Sequence, residues 1–271
     1  MTFQRVNGIQ IYYEEHGKGD PLLLIQGLGY PSGMWFLQIP ALARNFRTIV
    51  FDNRGVGRTD KPDEEYSIPL MASDAAGLLH ALGIKKAHVV GVSLGGYIAQ
   101  EMALSNPNLI DRLVLLATSY GGPRYFELTK ALWEEVAALA GLPPEEIIRR
   151  GTALAAAENF FQKNPEVLDR CLSIRMENLQ PLYAFTRQSM AAANFNSLDR
   201  AHLIRQPTLI LAGAHDRVMP LVLTQELAQK IPGVKLRVFP DAGHLLFLEK
   251  AQDVNQAILE FLSPSTRPLP L

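Results

Sequence analysis

A serine, an aspartate and a histidine are spaced along this sequence in a way that could support nucleophilic catalysis. Ser93 is the central residue of GVSLG, which fits the pattern G-x-S-x-G at residues 91–95. The apolar run AHVV precedes it and a helical pattern follows, which predicts a tight strand-to-helix turn. Glycines two residues before and after are required because larger side chains would collide there. We therefore predict that Ser93 is a strained, exposed nucleophile and not only a turn residue.

A serine hydroxyl needs a base, and the base needs a carboxylate that holds its tautomer. His244 lies in FPDAGHLLFLEK, between the last predicted strand and the last predicted helix. Asp216 follows another predicted strand in LILAGAHDRVMP. Both should stand at the sheet edge that presents Ser93, in the chain order Ser, Asp, His. The sequence thus predicts a triad of Ser93, Asp216 and His244.

Other ionisable residues at strand ends have simpler interpretations. His88 begins the strand that leads to the serine and suits a structural role, and His215 is expected to face solvent or a loop. Asp241 is interpreted as a turn former. Asp52 precedes the serine in the chain, and we interpret it as bracing its loop together with Arg54.

Acyl transfer also needs hydrogen-bond donors for the oxyanion of the tetrahedral intermediate. One predicted donor is the backbone N–H of Leu94, directly after the serine. The second is the amide of Leu28 in QGLGYPSGMW, where Gly27 and Gly29 allow the backbone to approach closely.

These residues must be positioned by short strands that alternate with helices. The apolar runs are rich in Val, Leu and Ile, as strands of a parallel sheet covered on both faces require. Residues 2–15 predict a β-hairpin around Asn7-Gly8. The remaining predicted strands are 21–27, 47–52, 87–92, 112–118, 207–213 and 236–241. The predicted helices between them are 67–83, 94–107, 220–233 and 253–262. This alternation predicts an α/β fold with a mostly parallel, eight-stranded sheet and helices on both faces.

The alternation stops between residues 122 and 204, where we find only helical patterns. This stretch is predicted to be a helical cap inserted over one edge of the sheet, and residues 1–121 and 205–271 are predicted to form the core. The last nine residues, SPSTRPLPL, are predicted to be a surface or disordered tail.

Composition limits the functional classes. The 271 residues carry a net charge of −1, which gives no electrostatic reason to expect nucleic acid or an anionic membrane as partner. The single cysteine, Cys171, excludes an internal disulfide and a multi-cysteine metal site. No signal peptide or long apolar segment is recognisable, so a cytoplasmic location is expected.

The motifs together resemble the α/β-hydrolase superfamily. QGLGYPSGMW, FDNRGVGRTDKP, GVSLGG, GAHD and PDAGH occur in the order and spacing of that family, and the resemblance covers nearly the whole chain. It is nearest to the esterase, enol-lactonase and cofactor-free haloperoxidase-like group with a helical cap. In that family the oxyanion loop commonly begins His-Gly, whereas here it begins Gln26-Gly27. Dehalogenases and epoxide hydrolases of this fold carry Asp as nucleophile, so Ser93 argues against both.

Aromatic and apolar residues of the cap and the catalytic loops are predicted to form an apolar substrate pocket. The candidates are Trp35, Tyr120, Phe160, Phe161, Tyr183, Phe185, Phe195, Val218 and Leu245. The predicted cap also contains glutamates and arginines, but the sequence does not position any one of these charges over the site.

The leading functional hypothesis is a carboxylic ester hydrolase that forms an acyl-enzyme on small to medium, largely apolar esters. It would need no metal or organic cofactor, and its partner would be a small-molecule ester or lactone. The same triad would also suit a lactonase, a carbon–carbon bond hydrolase, a perhydrolase or haloperoxidase, or an acyltransferase. A ligand receptor without turnover is the alternative outside catalysis.

Overall fold

The computed structural model describes residues 2–263, and the predicted C-terminal tail lies outside them apart from Ser263. Eight strands form one sheet in the order β1-β2-β4-β3-β5-β6-β7-β8. The strands are β1 (Thr2–Val6), β2 (Ile9–His16), β3 (Asp20–Ile25), β4 (Phe46–Phe51), β5 (Ala87–Val92), β6 (Ile110–Leu116), β7 (Thr208–Gly213) and β8 (Lys235–Phe239). β2 pairs antiparallel with β1 and β4, and every other pair is parallel. The predicted mostly parallel sheet is confirmed.

The helices fall into a group that packs on the sheet and a group inserted between β6 and β7. The first group is α1 (Ile39–Leu42), α2 (Ile68–Ala81), α3 (Leu94–Ser105), α9 (Leu221–Lys230), α10 (Leu246–Glu249) and α11 (Ala251–Leu262). The second is α4 (Pro123–Ala137), α5 (Pro144–Ala155), α6 (Phe160–Lys163), α7 (Pro165–Glu177) and α8 (Leu182–Ala193). None of the helices in the described part of the chain is long and apolar enough to cross a membrane.

The N-terminal hairpin turns at the predicted dipeptide. Asn7 and Gly8 have φ angles of 47° and 84°, and Val6 pairs with Ile9 across the turn. Positive φ at both turn residues matches the right-handed twist of the two strands, which explains why Asn-Gly is used here.

Both faces of the central strands are buried, because successive side chains alternate between two apolar cores. Leu23 and Ile25 of β3 belong to the core shared with α2, α3 and α9. Leu22 and Leu24 belong to the core shared with α10 and α11. This is the packing that the continuous apolar runs of the sequence predict.

Residues 122–204, here called the inserted segment, leave and rejoin the core at one narrow point. Gly121 and Asn196 form an isolated antiparallel bridge, and the Gly122 amide donates to the Phe195 carbonyl at 2.9 Å. The start of the segment is therefore tied to the residues that follow α8, beside the C-terminal end of β6.

The sheet order brings the candidate residues to one edge. β5, β6, β7 and β8 are consecutive parallel neighbours in the sheet. Ser93 directly follows β5, Asp216 follows β7, and His244 follows β8. Since the C-terminal ends of parallel strands lie on the same side of the sheet, these three loops are adjacent.

Candidate active site

The turn between β5 and α3 has the strained geometry that the sequence predicts. Ser93 has φ 55° and ψ −121°, in a region that non-glycine residues rarely occupy. A Cβ on Gly91 would lie 2.2 Å from the Gly95 carbonyl oxygen, and one on Gly95 would lie 2.2 Å from the Ile25 carbonyl oxygen. Both contacts are far too short, so the requirement for glycine at these positions is confirmed.

The neighbouring strand holds this backbone conformation. The Ser93 amide donates to the Leu116 carbonyl at 2.9 Å, and the hydroxyl of Thr118 donates to the Ser93 carbonyl at 2.8 Å. The Gly96 amide also donates to the Ser93 carbonyl at 2.8 Å. Hydrogen bonds from β6 and α3 therefore fix the main chain on both sides of the serine.

His244 and Asp216 form a buried pair. Nδ1 of His244 lies 2.9 Å from Oδ2 of Asp216, whose other oxygen accepts the amides of Val218 at 2.8 Å and Met219 at 2.7 Å. An ionised carboxylate only accepts hydrogen bonds, so the proton of a neutral imidazole resides on Nδ1. Nε2 is then left with its lone pair, which is the state a general base requires.

The loop that carries His244 is bound to the inserted segment. The His244 amide donates to the Ala155 carbonyl at 2.9 Å. Oε2 of Glu249 accepts the amides of Gly243 at 2.9 Å and Ala157 at 3.1 Å. Burial raises the pKa of the Glu249 carboxyl above its ordinary value, although these amide donors oppose the shift.

Two backbone amides beside the serine are available to an oxyanion. The amides of Leu28 and Leu94 donate to no acceptor within residues 2–263. A Cβ on Gly27 would lie only 3.1 Å from the Ser93 Cβ, so the loop approaches the serine as closely as the sequence predicts. The side chain of Gln188 accepts the Gly29 amide at 3.2 Å, which links α8 to this loop.

Gln26, the departure from the His-Gly pattern, braces the same loop. Its side chain is fully buried, and Oε1 accepts the Gly27 amide at 3.1 Å. Its Nε2 has no acceptor within residues 2–263. The Gln26 carbonyl accepts Nδ2 of Asn53 at 2.9 Å, so the backbone before Leu28 is fixed as well.

Ser93 and His244 line a cavity of about 1010 Å³ between the sheet edge and the inserted segment. Val218, Leu245 and Phe185 line it as predicted, and Leu28 lines it as well. Most of the remaining apolar lining comes from α4, α5 and α8, and includes Phe126, Leu132, Trp133, Ile147, Leu182 and Ala192.

Several predicted pocket residues lie elsewhere and correct the sequence prediction. Trp35 is fully buried against Phe247, with ring centroids 5.3 Å apart. The hydroxyl of Tyr120 donates to Glu226 at 2.7 Å, outside the cavity.

The remaining corrections concern aromatic residues of the inserted segment. Phe160 and Phe161 contact each other and pack on the core beside α10 and α11. Tyr183 is 40% exposed and its hydroxyl donates to the Lys61 carbonyl at 2.6 Å. Phe195 stacks on Tyr97 at 4.7 Å. Each of these rings lies on a side of its helix or loop that faces the core or solvent and not the cavity.

Asp52 braces its loop, but not with Arg54. Its two oxygens accept the amides of Ser32 at 2.6 Å and Arg58 at 2.8 Å. Arg54 instead donates to Asp74 from Nε at 2.8 Å. The bracing role of Asp52 therefore stands, and its predicted partner is corrected.

The other ionisable residues for which the sequence favours a structural role do not line the cavity. His88 is buried, and desolvation lowers the pKa of its imidazole. His215 is exposed, and Asp241 pairs with Lys250. In residues 2–263, no group of three or more His, Cys, Asp or Glu side chains is arranged to hold a metal ion.

Three residues of the site have no local sequence signal. Gln188 and Arg175 lie in the inserted segment, and Glu249 is near the C-terminus. Gln188 and Glu249 contact the catalytic loops through hydrogen bonds that join residues distant in sequence, and Arg175 lines the cavity. The packing of the inserted segment on the core brings Gln188 and Arg175 to the site, whereas α10, which directly follows the His244 loop, places Glu249 beside Gly243.

Comparison with known proteins finds a matching family and several similar chains. The family described as the alpha/beta hydrolase fold matches residues 20–251. A provisionally named non-heme bromoperoxidase of Mycobacterium tuberculosis, BpoC, is 35% identical over 94% of this chain and 98% of its own. The poly(3-hydroxyalkanoate) depolymerase of Ectopseudomonas oleovorans is 32% identical over 89% of this chain and 84% of its own. The crystal structure of the enol-lactonase from Burkholderia xenovorans LB400 has a TM-score of 0.85 at 25% identity, covering 96% of this chain and 99% of that chain.

Proposed function

Because the chain belongs to the α/β-hydrolase family, we propose that it is a serine hydrolase that cleaves carboxylic esters through an acyl-enzyme intermediate. One observation carries the proposal. A serine in a strained turn lines the same cavity as an imidazole whose Nδ1 is bound by a buried carboxylate, with Nδ1 of His244 2.9 Å from Oδ2 of Asp216.

In the proposed acylation step, Oγ of Ser93 attacks the ester carbonyl carbon while Nε2 of His244 accepts the hydroxyl proton. The amides of Leu28 and Leu94 stabilise the oxyanion of the tetrahedral intermediate. Collapse of the intermediate breaks the carbon–oxygen bond of the ester, and the His244 imidazolium gives its proton to the departing alkoxide. Asp216 stabilises the imidazolium and keeps the ring oriented.

Deacylation repeats the sequence with water. His244 accepts a proton from the water, whose oxygen attacks the acyl carbon. The second intermediate releases the carboxylic acid, and Ser93 regains its proton from the imidazolium. Every proton moves between the serine, the imidazole, water and the leaving group.

The names of two relatives support an ester bond as the target. A poly(3-hydroxyalkanoate) is a polyester and an enol-lactone is a cyclic ester, so both names describe cleavage of carboxylic ester bonds. A lactonase is therefore the second candidate for this chain. The apolar residues of α4, α5 and α8 around the cavity favour substrates with hydrocarbon chains.

Turnover of p-nitrophenyl esters from acetate to decanoate, with aliphatic lactones in parallel, tests the proposal. Ser93→Ala is expected to lower kcat by about 10⁴-fold or more, because it removes the proposed nucleophile. Where deacylation is slow, a burst of p-nitrophenol equal to the enzyme concentration is expected. Higher kcat/KM on the lactones than on the linear esters would favour the second candidate.

Ser105→Ala is the matched control. Ser105 lies at the end of α3, away from the cavity lining, and its hydroxyl donates to the Glu101 carbonyl at 2.7 Å. This variant should keep wild-type kcat. Wild-type turnover in Ser93→Ala would contradict the mechanism.

A further inference from the structure

The lining of the active-site cavity contains one cation that has no acidic partner in the described residues. Four side chains in the lining can carry charge, namely Lys130, Glu134, Arg175 and His244. Nζ of Lys130 lies 3.9 Å from Oε1 of Glu134. Nδ1 of His244 is hydrogen-bonded to Oδ2 of Asp216. Within residues 2–263, Arg175 forms no ion pair with a carboxylate.

The contacts of Arg175 leave most of its guanidinium unused. Nη1 donates to the Thr152 hydroxyl at 3.0 Å, and the guanidinium carbon lies 4.5 Å from the centre of the Tyr30 ring. A guanidinium has five N–H donors. The bond to Thr152 is the one hydrogen bond that the Arg175 side chain makes in the described part of the chain.

The surroundings of Arg175 disfavour a guanidinium that has no anionic partner. The cavity is mainly apolar, and burial lowers the pKa of the Arg175 guanidinium from its ordinary value. Arginine nevertheless stays protonated in proteins. Arg175 is half-buried and lines this cavity, and charges in apolar surroundings are normally paired, so its guanidinium, left without a carboxylate, is suited to an anion from outside.

Arg175 lines the same cavity as Ser93, the proposed nucleophile. It extends from α7, in the inserted segment, to Tyr30. Tyr30 lies two residues after Leu28, in the loop with the proposed oxyanion donor. Arg175, Leu28 and Ser93 line the same cavity. An anion on the guanidinium could therefore belong to the molecule whose ester bond lies at the serine.

We propose that Arg175 binds a carboxylate of the substrate, so that the preferred substrates are esters or lactones that combine a hydrocarbon portion with a free acid group. A carboxylate matches the planar fork of the guanidinium and can accept two parallel hydrogen bonds. This inference rests on the proposed ester hydrolysis and narrows it from purely apolar esters to acid-bearing ones.

Matched pairs of substrates test this inference on either side of the ester bond. On the acyl side, monomethyl adipate is compared with methyl hexanoate. On the alcohol side, p-acetoxybenzoate is compared with its methyl ester. Initial rates are followed by titration of released acid at constant pH. In at least one pair, the wild-type enzyme is expected to show the higher kcat/KM for the acid.

Arg175→Gln is expected to lower kcat/KM for the preferred acid by about ten- to a hundredfold, the range for a hydrogen-bonded charged group. For the neutral member of the pair, kcat/KM of Arg175→Gln should stay near the wild-type value. Arg175→Lys keeps the charge but loses the fork, so an intermediate loss is expected. Arg170→Gln removes the same charge from an exposed position on α7 and should leave kcat/KM unchanged for both substrates.

A structural role would give a different result. If Arg175 only holds Tyr30 and Thr152 in place, Arg175→Gln lowers the rates for the acid and the neutral ester by the same factor. That result, or the absence of any preference for the acid in both pairs, would overturn the inference. A preference for the acid that Arg175→Gln leaves intact would overturn it as well.

Binding to Ser93→Ala separates this inference from the proposed chemistry. Calorimetry with adipate and p-acetoxybenzoate is expected to detect binding in Ser93→Ala and a weakening of about tenfold or more in the double variant with Arg175→Gln. If the wild-type enzyme cleaves none of the esters, the proposed function fails, whereas the carboxylate site is still judged by this binding. Equal binding to both proteins, or none to either, would refute the site.

Discussion

At the scale of single residues, Gln26 links the sequence of the oxyanion loop to its geometry. Its Oε1 accepts the Gly27 amide at 3.1 Å, and the next residue carries the free amide of Leu28. A buried acceptor beside the loop fixes the peptide plane before Leu28, whose N–H is the proposed oxyanion donor. Glutamine can therefore support this backbone where the family commonly has histidine.

Gln26→Leu should lower kcat/KM for p-nitrophenyl butyrate by about five- to tenfold, because the Gly27 amide loses an acceptor worth on the order of 1 kcal/mol. Initial rates per folded enzyme, with folding checked by circular dichroism, measure this effect. Gln206→Leu is the control, since Gln206 is buried near the start of β7 and does not line the cavity. Unchanged rates in Gln26→Leu would remove the loop-bracing role.

At the scale of elements, the turn between β5 and α3 depends on close backbone packing. Gly95→Ala should destabilise the protein by on the order of 3 kcal/mol, because its Cβ would meet the Ile25 carbonyl oxygen at 2.2 Å. Gly151, within α5, has nothing within 4 Å of an added Cβ. Gly151→Ala should therefore stabilise the fold by about 0.5–1 kcal/mol, through its higher helix propensity.

Urea denaturation of the two variants measures both effects on one scale, as a decrease and an increase in the free energy of unfolding. The prediction requires that the two variants change the free energy of unfolding in opposite directions. A destabilised Gly151→Ala would mean that α5 has less room than the structure indicates, and a neutral Gly95→Ala would mean that the turn can open without cost.

Glu249 joins α10 to the His244 loop and to the inserted segment, and it should make stability depend on pH. Burial raises its pKa in the folded state above the ordinary 4.5. Between pH 4.5 and that raised pKa, the folded protein binds more protons than the unfolded chain. The contribution of Glu249 to the free energy of unfolding is therefore lost as the pH rises through this window.

Glu249→Gln keeps an acceptor for the amides of Gly243 and Ala157 but cannot ionise. The free energy of unfolding of the wild type, minus that of Glu249→Gln, should therefore fall as the pH rises from about 4.5 towards neutral. Thermal or urea unfolding at a series of pH values gives this difference. Glu260→Gln, the same change at an exposed position of α11, should give a difference that does not vary with pH.

At the scale of the whole molecule, the sheet and the three loops at its edge could be predicted because each depends on local pattern. Apolar runs identify strands that are buried on both faces, and parallel strands bring their C-terminal ends together. Ser93, Asp216 and His244 each directly follow such a run. The strained turn is also local, since the two glycines flanking Ser93 lie within five residues of sequence.

The cavity lining could not be predicted in the same way. Whether a helix of the inserted segment turns a given side chain to the cavity depends on how the helices pack on each other and on the core. Phe185 faces the cavity, whereas Tyr183, two residues earlier on α8, reaches the Lys61 carbonyl. For the same reason Arg175 could not be assigned to the cavity from the sequence, because nothing in CLSIRMEN distinguishes it from an exposed helical arginine.

The cavity between the inserted segment and the sheet edge should determine substrate length. Ala192 lines it from α8, and Ala192→Phe would place a ring in the space available to a hydrocarbon chain. Since overfilling a packed site costs about 1–3 kcal/mol, kcat/KM for p-nitrophenyl decanoate should fall by about tenfold or more. The acetate ester needs less of this space and should be cleaved near the wild-type rate. Ala131→Phe, at an exposed position of α4 outside the lining, should leave the ratio of the two esters unchanged, and an equal loss for both esters in Ala192→Phe would mean that the chain lies elsewhere.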